Sequence, residues 1–185
     1  MVTAAILEPS LADASAQRSN ASTIEEAWRA LATVVDPEIP VVSIVELGIV
    51  RDVRVDDATL VVEVTPTYSG CPATEMIMRA IDDALEARAI TSKRIETTLA
   101  PPWTTDRIVP EARRRLKEFG IAPPHTAPPR IDVTGISPLR RATTVGCPRC
   151  GSARTRLVSQ FGSTACKAHY RCEDCLEPFD YFKRF

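Results

Sequence analysis

Two Cys-x-x-Cys pairs, Cys147-Pro148-Arg149-Cys150 and Cys172-Glu173-Asp174-Cys175, constrain this chain more than any other feature. Each pair can turn as a knuckle that points two sulfurs at one ion, and Gly151 permits the first turn to be tight. Four thiolates at this spacing imply a closed tetrahedral site. Between the pairs, residues 153–161 and 165–171 read as strands with a turn at Gly162-Ser163, and the aromatic tail Pro178 to Phe185 adds a strand that covers a thin core. The expectation is a small all-β zinc ribbon over 141–185 that stands only with its metal. Zinc is the expected structural ion, and iron or an iron–sulfur cluster is the competing occupant of a sulfur-only site. Cys166 reads as a substitute ligand, a redox partner or a small core residue. His169 reads as a further ligand or as an ordinary packed or solvent-facing side chain, and His125 has no companion nearby in sequence.

Composition narrows the partners. Lys plus Arg (23) nearly cancels Asp plus Glu (24), so nothing points to nucleic acid. No apolar run reaches membrane-span length and residues 1–21 lack the order of a secretory signal, which predicts a cytoplasmic protein with no membrane partner. In that compartment the six cysteines are better read as metal ligands or reactive thiols than as disulfides.

The rest of the chain reads as an α+β sandwich over 21–122: a small three-stranded mixed sheet with helices on one face. Residues 1–20 are expected to be a disordered tail. Ser22 and Glu25 suggest a capping box opening a helix with Ile24, Ala27, Trp28, Leu31, Val34 and Val35 on one face. Asp36-Pro37 ends it and leaves Asp36 and Glu38 on a loop. Alternation over 49–55 and 60–64 around Asp56-Asp57 predicts a β-hairpin, and 94–99 a third strand. Between hairpin and third strand lies a helix over 73–89, opened by Pro72 and striped by Met76, Ile77, Ala80, Ile81, Ala84 and Leu85. Cys71 stands at its positive end, where a helix dipole favours thiolate, and a thiolate can attack or bind metal; the plainer alternative is a small residue closing a tight turn. A third helix spans 110–119 with Ala112, Leu116 and Phe119 inward, its basic run Arg113-Arg114-Arg115 solvated and Gly120 as its stop. The Pro-rich stretch 123–140 is expected to be a linker between separately folding modules.

Asp36-Pro37-Glu38-Ile39-Pro40, Leu47-Gly48-Ile49-Val50 and Thr67-Tyr68-Ser69-Gly70-Cys71-Pro72 together resemble the SufT-type iron–sulfur assembly domain. With Ala100-Pro101-Pro102-Trp103, Gly120-Ile121-Ala122-Pro123-Pro124 and Phe161 to Lys167 running into the ribbon, nearly everything after Ser22 resembles the PaaD family of bacterial phenylacetate catabolism. The resemblance implies an accessory or maturation protein for the phenylacetyl-CoA epoxidase, a di-iron oxygenase served by a flavin and iron–sulfur reductase. Its implied partners are components of that epoxidase, its reductase, or iron–sulfur assembly machinery. Cys71, with Asp36, Glu38, Thr67 and Ser69 beside it, becomes the candidate relay for transient iron or an iron–sulfur cluster.

The chain lacks the parts of an oxygenase. A di-iron bundle site needs Glu-x-x-His pairs, and neither histidine follows a glutamate at that spacing. Gly48 and Gly70 are isolated, so no nucleotide or flavin loop is present. Two readings stand: a maturation factor relaying metal through Cys71, and a structural subunit whose cysteines serve only folding. A thiol enzyme with Cys71 as nucleophile lacks a base nearby in sequence.

Overall fold

The computed structural model describes residues 11–68, 70–125 and 144–185. Helix α1 (Leu11–Leu31) leads through two short strands, β1 (Val35–Asp36) and β2 (Ile39–Ser43), to the hairpin β3 (Val50–Asp56) and β4 (Thr59–Val64). Helix α2 (Thr74–Glu86) then crosses over to β5 (Lys93–Thr97), followed by α3 (Pro110–Phe119) and β6 (Ile121–Ala122). The ribbon supplies β7 (Thr155–Ser159), β8 (Lys167–Cys172) and β9 (Pro178–Phe182).

Strands β3, β4 and β5 form the expected mixed sheet, antiparallel between β3 and β4 and parallel between β4 and β5. Period-two alternation decides its faces. Val53, Leu60, Val62 and Val64 turn inward onto Ala27, Ala30 and Leu31 of α1 and Ile77, Ile81 and Leu85 of α2. The other face carries Arg54, Glu63, Arg94 and Glu96, joined by ion pairs of 2.7 to 3.4 Å. Val61 is fully buried on that polar side between its register partners Arg54 and Arg94, whose aliphatic stems can cover it.

Several expectations need correcting. Helix α1 already runs from Leu11, so residues 11–20 are helical instead of a disordered tail, and Ser22 and Glu25 lie inside the helix, where Glu25 pairs with Arg29 instead of capping. Residues 1–10 lie outside the described residues. Asp36 and Glu38 belong to a tight hairpin, because Asp36 pairs with Ile39 across Pro37-Glu38. Met76 and Phe119 are exposed; each lies one position off the line its helix buries, Ile77, Ile81 and Leu85 in α2 and Ala112 and Leu116 in α3. The basic run on α3 is anchored, not merely solvated. Arg113 donates to the carbonyls of Ile108, Pro124 and Thr105, and Arg115 pairs with Glu46. Gly120 does end α3, with a left-handed φ of 101°.

The ribbon joins the first unit through a shared sheet and core. Strand β6, directly after α3, pairs in parallel with β9, giving a four-stranded sheet ordered β6-β9-β8-β7. Alternation along β9 sends Phe179 and Tyr181 into the ribbon's own core and Phe182 into the main one, where its ring lies 6.0 Å from that of Trp103. Arg149 of the first knuckle sits over Gly120, where an added Cβ would come within 2.7 Å of its guanidinium. The separate folding expected of two modules is therefore not what the contacts support, although most of the stretch read as a linker, 126–140, lies outside the described residues.

Phe182 is 1% exposed, so truncating it empties a space shared by both units. Phe182→Ala should cost about 3–5 kcal/mol in urea unfolding and loosen both units together. A loss confined to the ribbon, with the first unit's unfolding midpoint unchanged, would contradict the shared core.

Candidate functional site

The four ribbon cysteines converge. Their sulfurs all lie within 4.8 Å of one another, with Cys147 to Cys175 at 3.7 Å and Cys150 to Cys172 at 3.6 Å. Zinc–sulfur bonds of about 2.3 Å in a tetrahedron imply edges of about 3.8 Å, so the donor set fits that ion. Both knuckles close on a left-handed residue, Gly151 at φ 78° and Leu176 at φ 66°. Glycine advertised only the first of these turns. The N–H groups of Cys175 and Asp174 point at the Cys172 sulfur and, against the cost of burial, lower its pKa to about 7. The Glu177 N–H acts likewise on Cys175, but burial and the three neighbouring sulfurs push that thiol up to about 12. A dication removes this conflict, because it allows all four sulfurs to ionise together. His169 takes no part: its Nδ1 lies 3.2 Å from an oxygen of Asp180. His125 packs its ring 5.8 Å from that of Tyr181.

The second site is a cleft around Cys71. Helix α2 starts at Thr74 with Ala73 as its N-cap, so Pro72 lies ahead of the helix and not at its first position. Cys71 to Thr74 form a tight turn: the Thr74 amide and hydroxyl donate to the Cys71 carbonyl at 3.2 and 2.9 Å. Cys71 is half-buried and opens onto two hollows, both of which also contain Asp36 and Thr67. One runs under Ile49, Val64, Ile77 and Met78, and the other reaches Glu38, Tyr68, Thr164, Cys166 and Phe182. Ser69 lies outside the described residues.

Asp36 is 8% exposed and braces the hairpin, one carboxylate oxygen accepting the amides of Glu38 and Ile39 at 2.9 Å each. Burial raises its pKa despite these bonds and the nearby Lys167. Lys167 comes from the ribbon and is 3% exposed. Burial likewise pushes up the thiol of Cys166, whose sulfur lies 3.0 Å from the Thr164 hydroxyl. Tyr68 roofs the cleft, stacked on the C-terminal Phe185 with ring centroids 6.4 Å apart. Thr164 and Cys166 were not assigned to this cleft from sequence; the resemblance covered them only as part of the Phe161 to Lys167 stretch running into the ribbon.

Cys175→Ser should release one metal equivalent and, through β9 and Phe182, lower the melting temperature of the whole chain in one transition; a first unit that melts as before would refute the linkage. Asp36 has a raised folded pKa, so the stability it contributes is present below its unfolded value of about 3.9 and lost as pH rises through the folded pKa. Asp36→Asn keeps an oxygen for both hairpin bonds, and its advantage over the native chain in urea should grow above about pH 4. A difference that does not change with pH would show that burial of the charge is not felt.

Comparison with known proteins assigns a family to each unit. Residues 24–96 match the iron–sulfur cluster assembly protein family and residues 133–183 match the PaaD zinc beta ribbon domain. The chain is 47% identical over 162 residues to an Escherichia coli (strain K12) protein whose name provisionally makes it one of the subunits of 1,2-phenylacetyl-CoA epoxidase, covering 86% of this chain and 92% of that one. It is 34% identical over 96 residues to a Porphyromonas gingivalis protein named Fe-S protein maturation auxiliary factor, covering 51% of this chain and 90% of that one. A crystal structure of a DUF59 domain from Bacillus anthracis, 28% identical, superposes with a TM-score of 0.50 over 54% of this chain and 96% of that domain. Among the described residues no helix is long and apolar enough to cross a membrane. With an assembly-type first unit and its own ribbon type joined in one chain, this protein belongs to the PaaD family.

Proposed function

We propose that this chain is an accessory subunit of a phenylacetyl-CoA epoxidase, acting in the assembly of that oxygenase's iron or iron–sulfur centres, with Cys71 holding the cargo in passage. The observation that carries this reading is the half-buried Cys71 thiol sharing its cleft with the buried Asp36 carboxylate. A carboxylate kept out of water at a cost in stability is the kind of group that function retains. The names of the relatives agree with it: one is assigned to the epoxidase and the other to Fe–S protein maturation.

In this reading zinc in the ribbon is structural, and iron or a cluster is cargo. Cys71 supplies the soft donor, Asp36 and Glu38 supply hard oxygen donors, and Thr67 lines the approach. The partners are the oxygenase components or their iron–sulfur reductase. The competing reading, a structural subunit with no transferable metal, makes the opposite forecast for a single substitution.

Cys71→Ser should leave folding and ribbon zinc intact, because serine fills nearly the same space and the backbone of Cys71 makes the turn's hydrogen bonds. Epoxidase activity in cells carrying it should fall roughly tenfold or more, on the scale by which disturbing a metal's surroundings weakens its retention. Iron content of the purified oxygenase should fall with it. Full activity with full client iron would refute the relay and favour the structural subunit.

A further inference from the structure

We propose that Cys166, contributed by the ribbon, is a second thiol of the Cys71 cleft, so that the cargo site is a two-thiol site built across both units of the chain. The inference rests on the relay reading of Cys71 and adds to it a donor that the first unit does not contain.

The positions argue for this directly. Cys166 is not among the four converging ribbon sulfurs, so the structural metal leaves it free. It lies instead with Thr164 on the wall of the hollow that Cys71, Asp36, Glu38 and Tyr68 line from the other side. Both thiols therefore open onto the same hollow as the Asp36 carboxylate. Cys166 is not part of the ribbon core, which is built from Ala122, Val145, Ala168, Phe179, Tyr181 and the metal ligands Cys147 and Cys172.

The placement of Cys166 is held firmly. The Lys183 amide donates to the Cys166 carbonyl at 2.9 Å, and Lys183 directly follows Phe182 in the shared core. The ribbon's docking therefore fixes the thiol at the cleft. The neighbouring charges suit a cationic or cluster cargo with thiolate ligands. Binding M²⁺ to both sulfurs releases two protons to solvent, and the charge of the dication offsets the two thiolates formed beside Asp36. The Lys167 ammonium, buried beside the same group, offsets the negative charge that a thiolate-bound cluster carries. Relatives of the assembly type match only the first half of this chain, so a donor at Cys166 would set the two-unit chain apart from them.

The test uses the full chain, reduced and without oxygen, with zinc in the ribbon, titrated with cobalt(II). Cobalt is a visible stand-in for iron(II) that binds more weakly than zinc and leaves the ribbon metal in place. One equivalent should bind with a sulfur-to-cobalt absorption that drops to roughly half in Cys71→Ser and in both Cys166→Ser and Cys166→Ala, and disappears in the Cys71→Ser/Cys166→Ser double variant. If the Cys166 variants match the native band while Cys71→Ser abolishes it, the second donor is refuted and the Cys71 relay stands. A band that neither substitution changes, or no band in the native chain, overturns both readings. A measurement on the unsubstituted chain guards against misfolded variants: the short bis-alkylating reagent dibromobimane should bridge Cys71 to Cys166 in one peptide pair. Alkylation of each thiol singly without a bridged product would overturn the proposal.

Discussion

The burial of Phe182 between Trp103 and the main core holds the rest of the molecule in register. Among the described residues it is the one ribbon side chain buried in the main core. A ribbon of this size cannot bury enough surface to be stable alone, so it relies on two supports, a metal and a neighbour. Strand β9 connects them. It pairs with β8, which ends in the ligand Cys172, and with β6, which continues from α3 of the first unit. Metal binding and docking are thus mechanically linked through a single strand.

That linkage sets the geometry of the cleft. The β8 strand opens at Lys167 and closes at Cys172, so the short strand that directly follows the cleft residue Cys166 ends at one of the four clustered ribbon cysteines. The Trp103 indole, which packs on both Phe182 and Phe185, donates to the carbonyl of Leu47 at 3.0 Å. The aromatic group therefore ties the C-terminus to the loop that carries the Leu47-Gly48 turn. Tyr68, stacked on Phe185, extends the tie to the segment bearing Cys71.

Electrostatics separates the two sulfur sites. In the ribbon, backbone N–H groups lower the pKa of Cys172 while neighbouring sulfurs raise that of Cys175, a conflict that a bound dication would remove. At the cleft, donors are fewer, and burial raises the proton affinity of both Asp36 and Cys166. Groups that prefer to keep their protons bind a cation less tightly at neutral pH. One chain thus pairs a closed four-sulfur cluster with a half-buried cleft of one thiol beside a buried carboxylate.

Much of this was legible in the sequence. The ribbon ligands followed from spacing, because two-residue knuckles leave little freedom in where the sulfurs point. The hairpin and the limits of α3 followed from alternation, Pro110 and Gly120, signals that are local to the backbone. The Asp36 and Cys71 loops were grouped as one site through the family resemblance and not through local pattern, since β-pairing and the packing of α2 bring them together. What only the tertiary structure decided was the joining of the two units: β6 pairing with β9, Phe182 entering the main core, and Thr164 and Cys166 arriving at the cleft of Cys71. Alternation shows that Phe182 faces the opposite way from Phe179 and Tyr181, but not which surface receives it. Local periodicity cannot specify contacts between segments so far apart in the chain; packing does.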